Sequence, residues 1–203
     1  MKKLVWLNPV VKSMYQVKNL QKLLADKGFE IVECKVNHIL NVKNSYKAEL
    51  KSKQFILDSR CPRAVNFISS NFKDKSAQIS TSNPILIESA LELSANLKDD
   101  EHLFITTPCE DLAELGRGLN LARTTFLTWK EFRELNEINL PATKINSSPI
   151  PVGFFENLGV KAISLKSKDE IENAFAYRFH ELKSYQIVEL LHCENGCHNG
   201  DGL

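Results

Sequence analysis

Five cysteines punctuate this chain, and four of them keep company that suggests chemistry more than packing. Cys61 precedes Pro62, Cys109 follows Thr107-Pro108, and Cys193 and Cys197 enclose Glu194-Asn195-Gly196. Thiols set among proline, glycine and polar residues are candidates to ligate a metal ion or an iron–sulfur cluster. The fifth, Cys34, ends the stretch Ile31-Val32-Glu33 and reads as a small buried hydrophobe. Zinc competes for the same ground, because His192-Cys193 and Cys197-His198 place sulfur and nitrogen donors within seven residues. Adjacent residues such as His192 and Cys193 do not easily converge on one ion, so the histidines read as outer or exposed groups. Packing, zinc and cluster all stay open on these residues alone.

The elements that must position the thiols follow a regular rhythm. Short apolar runs at Lys3–Leu7, Glu30–Val36, Gln54–Leu57, Ala77–Ser80, His102–Thr106, Thr125–Leu127, Lys161–Leu165 and Tyr185–Leu191 predict strands. Between them, helical spacing predicts helices over Tyr15–Lys27, Lys43–Lys51, Cys61–Phe72, Pro84–Leu97, Glu110–Leu119, Trp129–Leu135 and Lys168–Phe179. The expected fold class is α/β, with mostly parallel strands alternating with helices, in one domain over 1–203 or in two lobes with a cluster site between them. Pro141, Pro149 and Pro151, with Asn146-Ser147-Ser148, mark an irregular connection over 140–155 that suits a lobe linker or a cover. Cys61, Cys109 and Cys193 each follow a predicted strand, so one parallel topology is expected to bring them to one carboxyl-end edge. Cys61 and Cys109 also precede helices, whose N-terminal dipole favours a thiolate. Asn195 and Gly196 tolerate left-handed backbone, and Gly200 and Gly202 suit a chain running close to a bulky inorganic group.

Composition narrows the function classes. With 203 residues, 43% of them hydrophobic, the chain can bury a core without disulfides. Lys+Arg 26 against Asp+Glu 25 gives +1, which leaves no electrostatic footprint for nucleic acid or an anionic membrane. The apolar run at the start is short and broken by Asn8, Pro9 and Lys12, so it reads as a strand and not as a leader. A cytoplasmic, reducing setting is expected, in which spaced cysteines serve metals or catalysis.

Three segments carry a family resemblance. Asp58-Ser59-Arg60-Cys61-Pro62-Arg63-Ala64-Val65-Asn66-Phe67-Ile68 resembles the TSCCPxWVxxI segment of iron-only ([FeFe]) hydrogenases, in the catalytic domain of their large subunit. Thr107-Pro108-Cys109 resembles that family's MPCxxK segment, and Glu189 to Gly202 resembles its ExMACxxGCxNGGG segment. The three occur in family order. The resemblance implies that Cys61, Cys109, Cys193 and Cys197 ligate a [4Fe–4S] cluster, with Cys197 at the position that bridges to a diiron centre. It also implies departures. Arg60 stands where the family has a proton-delivering cysteine, Leu112 where a lysine contacts the diiron ligands, Thr107 and Leu191 where methionines lie, and Asp201 within the glycine run.

The expected function is therefore electron transfer or redox sensing by a [4Fe–4S] protein beside a redox partner or another subunit, with no catalytic residues assigned. Arg60, if not a plain surface cation, is expected to stabilise the reduced cluster and raise its potential. A divergent hydrogenase or other reductase with an open iron site is the alternative, with Asp58, Arg60, His192 or His198 moving protons. A zinc-stabilised interaction domain is the third reading.

Overall fold

The computed structural model describes residues 1–150 and 152–203; Pro151, part of the irregular connection, lies outside the described residues. The strands are β1 Lys2–Trp6, β2 Phe29–Ile31, β3 Ile56–Leu57, β4 Glu101–Thr107, β5 Thr124–Thr128, β6 Ala162–Leu165 and β7 Ile187–Leu190. The helices are α1 Pro9–Ser13, α2 Val17–Asp26, α3 His38–Glu49, α4 Pro62–Asn71, α5 Ile85–Ala95, α6 Glu110–Arg117, α7 Trp129–Leu135, α8 Lys168–Tyr177 and α9 Phe179–Leu182. This is the α/β alternation that the sequence predicts, and every strand pairing is parallel. No helix among the described residues is long and apolar enough to cross a membrane.

The chain forms two compact units, neither of them continuous in sequence. The first comprises 1–36, 86–149 and 200–203, and the second 37–85 and 150–199. The first holds a four-stranded sheet in the order β2-β1-β4-β5. Leu4 and Trp6 of β1 join one apolar cluster with Leu86, Ala90 and Leu103. Val5 and Leu7 join another with Leu20, Leu24, Phe29, Trp129 and Phe132. Side chains alternate across a strand, so a sheet covered on both faces needs apolar residues at every position. That is why β1 reads as an unbroken apolar run.

The second unit holds a three-stranded sheet in the order β3-β7-β6. Leu57, Val188 and Leu190 face one cluster with Ala64, Ile68, Ile171 and Phe175. Ile56 and Ile187 face another, with Val42, Tyr46, Phe154 and Phe155.

Four expected elements differ. The strand expected over Ala77–Ser80 is a 3-10 turn over Lys73–Gln78, followed by a single bridge from Ile79 to Leu57. The strand expected to reach Val36 stops at Ile31. Beyond it, the Lys35 and Val36 N–H groups donate to the Glu92 carboxylate at 2.7 and 3.3 Å and so are lost to the ladder. The helix expected over Tyr15–Lys27 starts at Val17, after a separate turn of helix from Pro9 that Asn8 caps with bonds from Val10 and Val11. The weak helix expected at Lys43 begins five residues earlier, because the Asn37 side chain accepts the Leu40 N–H and caps it.

Candidate metal centre

Cys109 lies at the carboxyl edge of the first unit's sheet. In the order β2-β1-β4-β5 the connections diverge between β1 and β4, the switch point at which open parallel sheets bind ligands. Asn8, just past β1, ties the two strands together there. Its N–H donates to Thr106 Oγ1 at 3.1 Å, and its side-chain amide to the Thr106 carbonyl at 3.3 Å. Cys109 follows β4 in extended backbone and starts α6. Asp201 accepts the Glu110 N–H at 3.2 Å, placing a carboxylate at the first turn of that helix. Gly202 donates to the Pro108 carbonyl at 3.1 Å and accepts from Lys130 at 2.9 Å. A Cβ on Gly202 would come within 2.8 Å of Thr128 Cβ and 3.1 Å of the Cys109 Cα. That glycine is required by protein packing, where the sequence suggested an inorganic neighbour.

The other three candidate thiols belong to the second unit. Cys61 caps α4 in extended backbone, with Pro62 at the first helical position. Cys193 and Cys197 leave the end of β7 through a turn in which Asn195 and Gly196 take φ of 57° and 119°. The Asn195 N–H donates to the Lys166 carbonyl and that of Gly196 to the Cys193 carbonyl, which folds the loop back on itself. The thiols feel one another. Burial pushes the Cys197 thiol up to about 12, and the neighbouring Cys61 and Cys193 add to the rise. Burial also raises the Cys61 thiol, while the backbone N–H groups of His192 and Ala64 act in the opposite direction and Cys193 and Asp58 push it further up. Thiols gathered partly out of water are a candidate donor set for a metal.

Their spacing bears on which metal. Two sulfurs bound tetrahedrally to one zinc at ~2.3 Å lie roughly 3.8 Å apart. Among the described residues, the Cys61, Cys193 and Cys197 sulfurs do not form a set within 4.8 Å of one another. The Nδ1 of His198, next to Cys197, is buried without a partner. His192 sits edge-on to Phe67, with ring centroids 5.9 Å apart.

The expectation of one shared edge needs correction. Cys61 and Cys193 end strands of the three-stranded sheet, whereas Cys109 ends β4 of the four-stranded one. Two sheets with the same α/β grammar produce the same sequence signature, which is why one edge seemed sufficient. Cys34 is half-buried against the first unit's apolar cluster, with Sγ 3.9 Å from the Ser89 carbonyl, and burial raises its thiol.

Arg60 is neither a surface cation nor a lone charge. Its side chain is 7% exposed, against 0% for Asp58 and 1% for Glu189. Its Nε and terminal nitrogen donate to the two Asp58 oxygens at 3.0 and 2.8 Å, and the same terminal nitrogen donates to Glu189 at 2.7 Å. The guanidinium lies 3.9 Å from the Phe154 ring centroid and 4.7 Å from that of Phe155. Burial opposes its charge, but Asp58, Glu189 and Tyr46 outweigh that and raise its pKa. Asp58 also accepts from Tyr46 at 2.7 Å, and Tyr46 accepts the Ser59 N–H at 2.9 Å. Glu189 further accepts the Gly153 and Phe154 N–H groups at 2.7 and 3.2 Å, and the Ser164 hydroxyl. Alternation along β3 and β7 puts Asp58 and Glu189 on the face of Ile56 and Ile187, where these aromatic rings pack. With two carboxylates on one guanidinium, Arg60 is not an isolated cation.

The remaining departures are also accounted for locally. The Thr107 hydroxyl donates to the Cys109 carbonyl at 2.9 Å, and Leu112 and Leu191 are buried apolar residues.

No family model and no curated protein sequence matches the chain. Solved structures do. An apo [FeFe]-hydrogenase HydA1 from Chlamydomonas reinhardtii, in a single-site variant, matches 99% of this chain and 79% of its own with a TM-score of 0.66 and 12% identity. A structure of stepwise H-cluster assembly in HydA matches 99% of this chain and 79% of its own, with a TM-score of 0.63 and 12% identity. An [FeFe]-hydrogenase structure describing oxygen inactivation through its H-cluster 2Fe subcluster matches 99% and 80% of the two chains, with a TM-score of 0.63 and 12% identity. At such identity the likeness concerns architecture, and this chain has the fold of the [FeFe]-hydrogenase structures.

Proposed function

We propose that this chain binds one [4Fe–4S] cluster through Cys61, Cys109, Cys193 and Cys197, and carries or senses electrons for a redox partner or neighbouring subunit without turning over hydrogen. The observation that carries the reading is the gathering of three half-buried thiols, from segments far apart in sequence, in one unit, where Cys61 and Cys193 both act on Cys197. The position of Cys109 at the first unit's switch point, the three motifs and the hydrogenase fold support it as the fourth ligand. When bound, the cluster supplies one-electron redox chemistry.

The chain's own part is to hold four thiolates and keep water from them. Because burial raises the Cys61 and Cys197 thiols, loading must expel protons, so it is favoured as pH rises. The residues present do not fit a diiron centre. Arg60 is committed to its ion triad, Thr107 to the Cys109 carbonyl, and Leu112 and Leu191 offer no donor. The reading places the chain in a cytoplasmic, reducing setting, where spaced thiols are free to ligate a cluster.

Anaerobic reconstitution tests the reading. Four irons and four sulfides per chain, with broad visible absorption bleached by dithionite, support it. A colourless protein holding zinc counts against it. Alanine at Cys61, Cys109, Cys193 or Cys197 should abolish or strip the cluster, whereas Cys34→Ala should retain it. Hydrogen evolution from reduced viologen, after exposure to a diiron maturation system, would overturn the non-catalytic part.

A further inference from the structure

The Asp58–Arg60–Glu189 triad is more than the fold requires. A buried ion cluster contributes little net stability, and apolar residues of similar volume often do as well or better. This cluster is also unbalanced, with two carboxylates on one guanidinium. Tyr46 beside it stays neutral, since burial and the adjacent Asp58 hold its hydroxyl well above the usual phenol range. Lys43 lies 4.7 Å from the Phe154 ring centroid and is partly solvated, so its charge is screened. The triad therefore holds one net negative charge in a dry place. Its members adjoin the thiols along the chain: Arg60 directly precedes Cys61 at the start of α4, and Glu189 lies in β7, which leads into Cys193.

We propose that the Asp58–Arg60–Glu189 triad is a fixed-charge device that sets the reduction potential of the cluster, with Arg60 as the positioning residue that holds both carboxylates in place. The inference rests on the cluster reading above. Reduction brings one electron to the bound group, supplied in a titration by dithionite through mediators, and makes or breaks no bond. A buried negative charge nearby opposes that electron, and a buried positive charge assists it. The geometry is stiff enough for the charges to act from fixed positions. The guanidinium is bound to Asp58 through two nitrogens and stacked on Phe154, and Glu189 is held by Gly153, Phe154 and Ser164.

Charge-swapped variants distinguish this role from a structural one. Glu189→Gln makes the triad neutral, Arg60→Met makes it doubly negative, and the two together restore a single negative charge. Midpoint potentials of the reconstituted proteins should rank Glu189→Gln highest, the wild type and the double variant together, and Arg60→Met lowest. Glu189→Gln should shift the reduction equilibrium at least tenfold toward the reduced form, which is about 59 mV for one electron. If Arg60→Met does not fold, Glu189→Gln and the double variant still decide. An iron-loaded Glu189→Gln within twofold of wild type, or a double variant that keeps the Glu189→Gln shift, overturns the triad's role and leaves the cluster reading standing. A wild-type chain that takes up no iron and sulfide overturns both.

Discussion

At the scale of single residues, Tyr46 joins local structure to the charged interior. Its hydroxyl donates to Asp58 and accepts from the Ser59 backbone, so it serves a buried carboxylate and a turn at once. Tyr46→Phe keeps the ring against Phe155 but removes both bonds. It should cost about 1–3 kcal/mol in denaturant unfolding while leaving iron uptake intact, which separates stability from ligation. The sequence made the four ligand candidates legible because proline, glycine and spacing are local signals. It gave no sign of Arg60's partners, because Glu189 is 129 residues away and a charge's burial depends on where the strands pair. Arg60 was legible as an unusual residue beside Cys61, though not as the centre of a buried triad.

Among the elements, two junctions have clear energetic consequences. Asp201 accepts an N–H from the first turn of α6, so Asp201→Ala should destabilise the protein by about 1 kcal/mol in urea unfolding. Gly202→Ala should cost more, about 1–3 kcal/mol, because its Cβ meets Thr128 and the backbone at Cys109, which cannot swing aside. The second junction fastens α3 to the segment after Ile79. Glu49 accepts from the Ser80 and Ser82 hydroxyls at 2.5 and 3.0 Å and from Lys53 at 3.0 Å. Burial raises this carboxyl, but the bonds from Ser80, Lys53 and Ser82 prevail and lower it. A carboxylate with a lowered folded pKa stabilises above its unfolded value, and the benefit is lost as pH falls through the folded one. The stability gap between wild type and Glu49→Gln should thus be open at pH 7 and close below about pH 4, followed by urea midpoints across pH. The helices were readable from their apolar spacing. The false strand at Ala77–Ser80 arose because a single bridge and a full ladder share the same short apolar pattern.

For the whole molecule, the two units are assembled from alternating pieces of chain. A fragment of residues 1–149 keeps β1, β2, β4 and β5 but loses the 200–203 segment and both strand partners in the sheet of β3. It should give a broad, weakly cooperative urea transition and expose apolar surface to a hydrophobic dye, whereas the full chain unfolds cooperatively. The α/β class was legible as a rhythm of strands and helices. The division into two sheets was not, because parallel pairing between distant strands leaves no mark on the residues between them.

That pairing also sets a timetable. Ile56 lies beside Ile187, made about 130 residues later. At about 5–20 residues per second, Cys61 leaves the ribosome on the order of ten seconds before the strand beside it exists. During that interval its thiol is unshielded, open to oxidants and to stray metal ions. The four-stranded sheet, complete by Thr128, has no such wait for its strands. On the proposed reading, a cluster could be loaded only after Cys193 and Cys197 have been made, and the vulnerable period of Cys61 is the chain's own synthesis.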